Sequence, residues 1–420
     1  MNRLATTTAV ACLAWLCASC SNGGDTSNGD TKTNDEMTGG GAGASAGAHA
    51  TSHADAGSAD AAAAVQDDGS APSDSSDGTA DGGMAMSDLL GTIPSARGKC
   101  DLHTDFAGDD ACLAPPDPDK GFQIHIGPSN YDDPDEIAKF VMEPGGESDE
   151  CFMKKTPNDK DIQFFVWELS GRPGTHHIIN TMLSTDLPEG WGSCENFGPG
   201  GNSIGSLGGA SRAHMPPTPV APENARLGIP VAAHTQVQHD MHYYNVTDKP
   251  LLREFWMNVY YVDPTQVEET PQQIAGLGGL GWNFRPIQPG THQVFQYECP
   301  IDKDGRIIQL LGHTHAHALR ETAYIRRANG DRLKVFEQYN YLEPAIFNYD
   351  SLTKNPEFSG SSPGAYSGLL DVAAGDALDW ECEVNNDSST PLAYTNEVQT
   401  GEMCNIWGMS VGPTLSCFLQ

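Results

Sequence analysis

The sequence predicts an all-β protein with two β-sandwich domains in tandem. From residue 100 onward, short runs rich in β-branched and aromatic residues alternate with clusters of Gly, Pro, Asn and Asp. No stretch shows the periodicity of an amphipathic helix over three turns. This region of about 320 residues is too long for one sandwich, and a glycine-rich break near residues 272–281 predicts the boundary. The predicted domains are therefore residues 100–272 and 273–420.

The first 20 residues predict a secretion signal. Arg3 supplies the positive start, and the apolar run 9–16 is too short to span a bilayer. Cys17-Ala18-Ser19-Cys20 resembles a lipoprotein processing box, so we expect Cys20 to carry the lipid anchor of a bacterial envelope protein, at the outer membrane. An ordinary signal peptide cut nearby is the alternative. Both predict an exported protein.

Residues 21–99 have the composition of a disordered tether. They are rich in Gly, Ser, Ala, Asp and Thr, contain no aromatic residue, and carry 12 acidic against 3 basic residues. Such a segment cannot bury enough apolar surface to offset the entropy of ordering it. We therefore expect a linker between the membrane anchor and the folded domains.

The folded region is strongly acidic, with 44 acidic against 19 basic residues from residue 100 onward. This charge excludes a nucleic-acid partner and direct adhesion to anionic lipid, so we expect membrane contact through the lipid anchor only. An even number of cysteines in an exported chain predicts four disulfides, and the absence of a CxxC pair disfavours a cysteine-rich zinc site. The eight are Cys100, Cys112, Cys151, Cys194, Cys299, Cys382, Cys404 and Cys417.

The motif Gly312-His313-Thr314-His315 follows an apolar run that predicts a buried strand. Alternate residues of a strand face the same way, so His313 and His315 lie about 7 Å apart on one face and can close on one metal ion. His317 shares that face but lies about 13 Å from His313, too far for the same ion. An isolated His-x-His pair is equally compatible with a pair that binds nothing.

Two further stretches offer histidine ligands. His176 and His177 are neighbours, so on a regular strand they face opposite ways and share a metal only after a local distortion. Pro173 and Gly174 just before them make an irregular entry plausible. On the strand predicted at 234–244, parity puts His242 on a polar face and His239 on an apolar one. His242 is therefore the ligand candidate, and His239 is predicted to be a core residue.

A fourth stretch is Met403-Cys404-Asn405-Ile406-Trp407. The order of the four elements, His-His, His-Tyr, His-x-His and Met-Cys-Asn, resembles the copper type II, ascorbate-dependent monooxygenases, the group of peptidylglycine α-hydroxylating and dopamine β-monooxygenases. The resemblance implies two jelly-roll sandwiches with one copper on each, facing across a wet cleft. It implies hydroxylation of a C–H bond of a small organic substrate, with dioxygen and an ascorbate-like reductant.

The resemblance also implies two separate ligand sets. The copper that supplies an electron would be held by His176, His177 and His242. The copper that binds dioxygen would be held by the catalytic set His313, His315 and Met403, with Asn405 and Trp407 beside it. The thioether of Met403 is a soft ligand that favours Cu(I).

The disulfide pairs that the resemblance implies are Cys382–Cys404, Cys299–Cys417 and Cys151–Cys194, which leave Cys100 to pair with Cys112. The first pair would hold the strand that carries Met403.

Two departures from the family concern the substrate. Leu311 stands where peptide-amidating members have an arginine that grips the substrate carboxylate, and Trp407 stands where they have a tyrosine. We therefore expect a flat or hydrophobic neutral substrate, or a cation over the indole ring, rather than a peptide acid. Arg320, Arg326 and Arg327 are the residues that would substitute for the missing clamp.

Two other functions remain open from the sequence. The same ligands suit a non-catalytic, copper-binding or copper-sequestering envelope lipoprotein. A zinc-binding sandwich built on His313 and His315 is the third reading, but it leaves Met403 without a role. No pattern in the sequence predicts the oligomeric state.

Overall fold

The computed structural model describes residues 90–91, 93–194, 202–278, 286–359 and 366–418, and the predicted all-β fold is confirmed. All described residues belong to one compact unit. The predicted signal peptide, the lipidation site Cys20 and the linker up to residue 89 lie outside the described residues. No helix among the described residues is long and apolar enough to cross a membrane.

The first half of the described chain is a sandwich of two five-stranded sheets. One sheet has the order β1-β12-β4-β8 with β9 on β4, the other has the order β6-β3-β10-β5-β7, and β2 pairs with β11. The strands are β1 (Gly121–Ile126), β2 (Val141–Met142), β3 (Glu147–Lys155), β4 (Ile162–Gly171), β5 (Thr175–Leu183), β6 (Gly190–Gly192), β7 (Ser203–Ala210), β8 (His214–Met215), β9 (Ile229–Val231), β10 (Gln236–Tyr244), β11 (Leu251–Leu252) and β12 (Phe255–Val262).

The second half is a sandwich of a six-stranded and a four-stranded sheet. The orders are β18-β15-β21-β13-β22, with β19 on β15, and β14-β20-β16-β17. The strands are β13 (Gln272–Gly278), β14 (Thr291–Pro300), β15 (Gly305–Thr314), β16 (Ala318–Arg326), β17 (Arg332–Gln338), β18 (Ile346–Asn348), β19 (Leu370–Val372), β20 (Ala377–Asn386), β21 (Cys404–Val411) and β22 (Ser416–Phe418). Strand pairing passes to this sandwich at Gln272, within the break where the sequence predicts the domain boundary.

All four expected disulfides form: Cys100–Cys112, Cys151–Cys194, Cys299–Cys417 and Cys382–Cys404. Such bridges persist in oxidising compartments, as expected for an exported protein. The Cys382–Cys404 bridge joins β20 to the first residue of β21, directly after Met403.

The short apolar run at residues 137–142 predicts a strand, and this prediction is wrong for most of the run. The chain instead forms a short helix α1 (Pro134–Ala138), and only Val141–Met142 is extended. Asp133 begins the helix because its side chain accepts a hydrogen bond from the backbone N–H of Asp135, and Pro134 suits the first helical position. Three-residue 3₁₀ turns lie at Asp109–Ala111, Pro222–Asn224 and Pro264–Gln266.

The glycine-rich stretch that marks the predicted boundary contains a strand, β13, which the sequence analysis did not foresee. Its glycines allow close packing, since a Cβ on Gly276 would lie 2.9 Å from the Trp380 ring and one on Gly278 would lie 2.5 Å from Tyr297. The strand needs these glycines to fit under two aromatic rings, so Ile274 is its only β-branched residue.

The two sandwiches contact each other through an apolar cluster. A bulge in β15 leaves Ile308 without a partner on β21, and Ile308 is buried against the first sandwich rather than in the second core. At the edge of this contact, Arg212 forms an ion pair with Glu343 at 2.8 Å. The buried members of the cluster are Phe165, Val166, Val220, Leu227, Tyr260, Val262 and Ile308.

A buried ion pair holds the turn between β4 and β5, which leads into the histidine pair. Arg172 and Glu254 are both fully buried, and Arg172 Nε donates to Glu254 Oε2 at 2.5 Å. Arg172 Nη1 also donates to Asp109 Oδ1 at 2.9 Å, and Thr175 Oγ1 donates to the Arg172 carbonyl at 2.7 Å. This turn lies just before His176. It is therefore tied to the start of β12 through Glu254 and to the N-terminal segment through Asp109.

We expect Arg172→Met to lower the free energy of unfolding by about 3–5 kcal/mol, because it leaves the Glu254 carboxylate buried without its cation. Urea unfolding of the metal-free protein measures this change. Arg226→Met is the control, since Arg226 and Glu268 form an exposed pair that contributes little. Equal losses in the two variants would contradict the role given to the buried pair.

Candidate metal centre

The histidines of the first sandwich lie side by side on β5 and β10. His242 is the direct cross-strand partner of His177, and on the other side of β10 it pairs with Asp149 of β3. Between His242 and Tyr243 the register shifts, so that Tyr243 pairs with Thr175 and His176 is the extra residue of a β-bulge. This bulge is the local distortion that allows the rings of the neighbouring residues His176 and His177 to project from one face of the sheet.

The ligand candidates of the second sandwich lie at the ends of β15 and β21. His313 is the cross-strand partner of Asn405, and Leu311 is the partner of Trp407, so these four side chains share one face of the sheet. Asn405 Nδ2 contacts Met403 Sδ at 3.5 Å.

Two buried glutamates support the ligand strands from behind. Glu402 Oε1 accepts the backbone N–H groups of His315, at 2.7 Å, and Met403, at 2.9 Å. Glu321 packs under Gly312, where a Cβ would lie 2.0 Å from its Oε2. Burial raises the pKa of both carboxyl groups to about 8. The glycine of the His-x-His motif is therefore needed for packing, and both acids are largely protonated at neutral pH.

The five histidines form one cluster where the two sandwiches meet. The centroid of the His176 ring lies 4.7 Å from that of His313, 5.3 Å from that of His315 and 5.0 Å from that of His242. The His177 ring lies 5.1 Å from that of His313. All five residues are at most 9% exposed. The expectation of two ligand sets facing across a wet cleft is therefore wrong for this structure.

The potential ligand atoms divide the cluster into two groups. Within each group, one ligand atom per residue lies within 4.8 Å of the others. One group is His176, His313 and His315, and the other is Asp149, His177 and His242. The structure thus places His176 with the His-x-His pair rather than with His177 and His242, and it adds a carboxylate to the latter.

The chemical state of the rings fits a metal centre. Both ring nitrogens of His176 and Nδ1 of His177 are buried and have no hydrogen-bond partner among the described residues, and the buried His315 ring contacts the backbone of Glu397 and Gly401. Burial and the neighbouring rings lower the pKa of His176, His177 and His315 well below the usual histidine value, and burial lowers the pKa of His313 to about 3. Neutral imidazole with a free nitrogen is the form that binds a metal ion.

Two histidines outside the cluster have other partners. His239 is fully buried, and its Nδ1 lies 2.7 Å from Asn180 Oδ1, which confirms its prediction as a core residue. His317 contacts Asp387 Oδ1 through Nδ1 at 3.2 Å and the Gln399 carbonyl through Nε2 at 3.0 Å. It therefore anchors the segment before Met403.

The arginines considered as a substitute clamp do not reach the centre. Arg320 and Arg326 lie on β16, in the sheet on the far side of the second core, and Arg327 follows them. Each forms an ion pair there: Arg320 with Glu383 at 2.9 Å, Arg326 with Asp379 at 3.1 Å and Arg327 with Asp376 at 2.7 Å.

Two acidic residues and a tyrosine also lie at the centre, and none of the sequence motifs predicts them. Glu147 Oε1 lies 2.9 Å from His242 Nε2 and also accepts the backbone N–H of Val398, at 2.7 Å. Asp149 belongs to the second ligand group, and the Tyr341 ring lies 6.5 Å from that of His176. Cys151 is the feature of the sequence that could have predicted the two acidic residues. A disulfide-bonded cysteine suggests a buried strand, and Glu147 and Asp149 precede it at alternate positions.

No protein-family model matches the chain, and no curated protein is similar to it in sequence. Among solved structures, one of the Gx strain of infectious bursal disease virus aligns at 9% identity over 70% of this chain and 82% of that chain, with a TM-score of 0.12. A similarity this weak indicates neither a fold family nor a function.

We expect His313 to lower the free energy of unfolding of the metal-free protein as the pH falls below about 6.5. The unfolded chain binds a proton there, whereas the folded protein excludes it until about pH 3. His313→Gln should therefore reduce the slope of unfolding free energy against pH by about 1.4 kcal/mol per unit within this window. Urea unfolding at pH 4.0 to 6.0, taken as roughly the middle of the window, measures the slope.

The comparison must be made between variants, because Glu321 and Glu402 act in the opposite sense. Their raised pKa favours the folded state at low pH, and this contribution is lost as the pH rises from about 4.5 to about 8. The control is Gln293→Ala, at an exposed residue of β14 that carries no titrating group, and it should leave the slope unchanged. An unchanged slope in His313→Gln would show that His313 is not held neutral.

Proposed function

We propose that this protein is an exported copper-dependent monooxygenase, with two copper ions held by the five clustered histidines and Met403. The observation that carries the proposal is the buried cluster of five histidines, in which both ring nitrogens of His176 and Nδ1 of His177 have no hydrogen-bond partner among the described residues. Copper, when bound, supplies one-electron chemistry with dioxygen. The overall reaction converts R–H, dioxygen, two electrons and two protons into R–OH and water, with an ascorbate-like reductant as the electron source.

The donor set favours copper over zinc. Imidazole binds both oxidation states of copper, and the soft thioether of Met403 favours Cu(I). Glu402 holds the backbone N–H groups of both His315 and Met403, so these two potential ligands have a common support. The Cys382–Cys404 bridge limits the movement of the adjacent Met403. A zinc site has no use for the thioether.

The substrate side of the centre is formed by Met403 and Trp407. Both residues are half-buried, whereas the histidines are buried, so a substrate approaches from this side. Leu311 lies opposite Trp407 on the same face, and Arg320, Arg326 and Arg327 are engaged elsewhere. A neutral aromatic molecule or an aromatic amine suits such a surface, since a carboxylate would lose its hydration without gaining a cation.

A second candidate function is copper sequestration in the cell envelope. The burial of all five histidines favours it, because a closed centre protects a bound ion from exchange. In both proposals Cys20 carries a lipid anchor that holds the protein at the outer membrane. The two functions differ in turnover, since only a monooxygenase couples the consumption of dioxygen and ascorbate to formation of a hydroxylated product.

We expect the exported protein to bind two copper ions per chain and to consume dioxygen with ascorbate. Met403→Leu should weaken Cu(I) binding at one site by roughly tenfold, because it removes the thioether and keeps the volume. A competition titration with a chromogenic Cu(I) chelator measures this affinity. Met409→Leu, on the strand that follows Met403 and at the contact between the sandwiches, is the control and should leave this affinity unchanged. Equal Cu(I) affinity in wild type and Met403→Leu would contradict the ligand role.

We expect a neutral aromatic compound or an aromatic amine to be hydroxylated in preference to a peptide that ends in glycine. The reason is the apolar Leu311 and Trp407 pair on the approach side. A competition assay with copper-loaded protein and ascorbate compares product formation from the three substrate classes. Efficient turnover of the peptide would contradict this assignment, and copper binding without oxygen consumption would favour sequestration.

A further inference from the structure

We propose that Asp149 is a metal ligand and completes a two-histidine, one-carboxylate site with His177 and His242, whereas His176 belongs to the other ion together with His313 and His315. The inference rests on the proposed function only in assuming that the centre holds metal. It adds a ligand and divides the histidines differently from the order of motifs in the sequence.

The strand register brings the three residues of this site together. Asp149, His242 and His177 are direct cross-strand partners on the consecutive strands β3, β10 and β5. Directly opposed residues project from the same face, and neighbouring strands lie about 4.8 Å apart. The row therefore directs one carboxylate and two imidazoles toward one point, and their ligand atoms lie within 4.8 Å of one another.

The bulge accounts for the position of His176. Because His176 is the extra residue, its ring leaves the row and lies 4.7 Å from the His313 ring. Distances between ring centroids do not divide the cluster, since His176 and His177 are both 5.0 Å from His242. The ligand atoms do divide it, because those of His176, His313 and His315 lie within 4.8 Å of one another. A metal ion is bound by ligand atoms, so the distances between these atoms, and not those between ring centroids, assign each residue to an ion.

The surroundings of Asp149 suit a ligand. Its carboxyl group has a hydrogen-bond contact with the buried carboxyl group of Asp240. Its Oδ2 atom accepts a hydrogen bond from Asn396 Nδ2 at 2.5 Å. These two neighbours orient the carboxylate beside the imidazoles of His177 and His242, as hydrogen-bond partners orient metal-binding carboxylates.

The two sites would then differ in chemistry. An oxygen anion with two imidazoles suits a divalent ion, whereas three imidazoles, with the Met403 thioether as a candidate fourth ligand, suit Cu(I). The negative charge of Asp149 also offsets part of the charge of a divalent ion in a buried position. This division gives the two halves of the cluster different preferences for oxidation state.

Metal binding in a background with one site removed tests the assignment. His315→Ala should bind one ion per chain, held by Asp149, His177 and His242. Adding Asp149→Asn, which keeps the shape of the side chain, should remove most of this binding, by tenfold or more in affinity. Adding His176→Ala should leave it intact. The measurement is equilibrium dialysis against Cu(II), with elemental analysis of bound copper and electron paramagnetic resonance to count the coordinating nitrogens.

Glu150→Gln in the same background is the matched control, because Glu150 follows Asp149 on β3 but pairs with Arg253. It should retain the ion with two coordinating nitrogens. The assignment is overturned if Asp149→Asn keeps the ion, if His176→Ala loses it, or if His315→Ala alone binds no ion or two. Urea unfolding of each variant shows whether a loss of binding reflects a loss of folding.

The same variants with Zn(II) separate this inference from the proposed function. Zn(II) binding in the expected pattern, by a chain that binds no copper, would support Asp149 as a ligand and contradict the copper monooxygenase. Copper binding with ascorbate-driven oxygen consumption, unchanged in Asp149→Asn, would support the proposed function and overturn the inference.

Discussion

Burying five imidazole rings against one another is the constraint on which the rest of the structure depends. Burial lowers the pKa of His176, His177, His313 and His315, so these four rings are neutral. Both ring nitrogens of His176 and Nδ1 of His177 lack a hydrogen-bond partner among the described residues. Unpartnered polar groups in a buried place cost free energy that a bound metal ion recovers. The fold provides the supports that hold this arrangement: the Arg172–Glu254 pair before the β5 bulge, Glu402 behind the ligand strands, and a disulfide next to Met403.

The centre belongs to both sandwiches, and neither sandwich alone contains it. Ile308 packs against the first sandwich because a bulge in β15 turns it away from its own core, and this contact sets the two ligand strands close together. The segment before Met403 adds a polar connection, since the Val398 N–H donates to Glu147, which also contacts His242. The interface between the halves therefore determines the spacing of the metal ligands, and a change that separates the halves removes the centre without altering a ligand.

Much of the fold could be predicted from local patterns, because strand parity depends on few residues, whereas the cysteine pairs were implied by the resemblance. The alternation around His239 and His242 correctly separated a core histidine from a potential ligand, and all four cysteine pairs are those expected. The charged strand β3 was missed because its acidic residues hide the apolar Phe152 and Met153, and Asp149 was missed with it. The convergence of the five rings could not be predicted from the sequence, because it depends on two bulges and on the packing of residues far apart in the chain.

The central claim is that metal ions bind between the two sandwiches, in a single cluster to which both contribute. Anomalous diffraction at the copper absorption edge, from crystals of the copper-loaded protein, tests it most directly. The account predicts two anomalous peaks, one among His176, His313 and His315 and the other among Asp149, His177 and His242. Two peaks that lie on separate sandwiches, one among His176, His177 and His242 and the other at His313, His315 and Met403 across an open cleft, would contradict it.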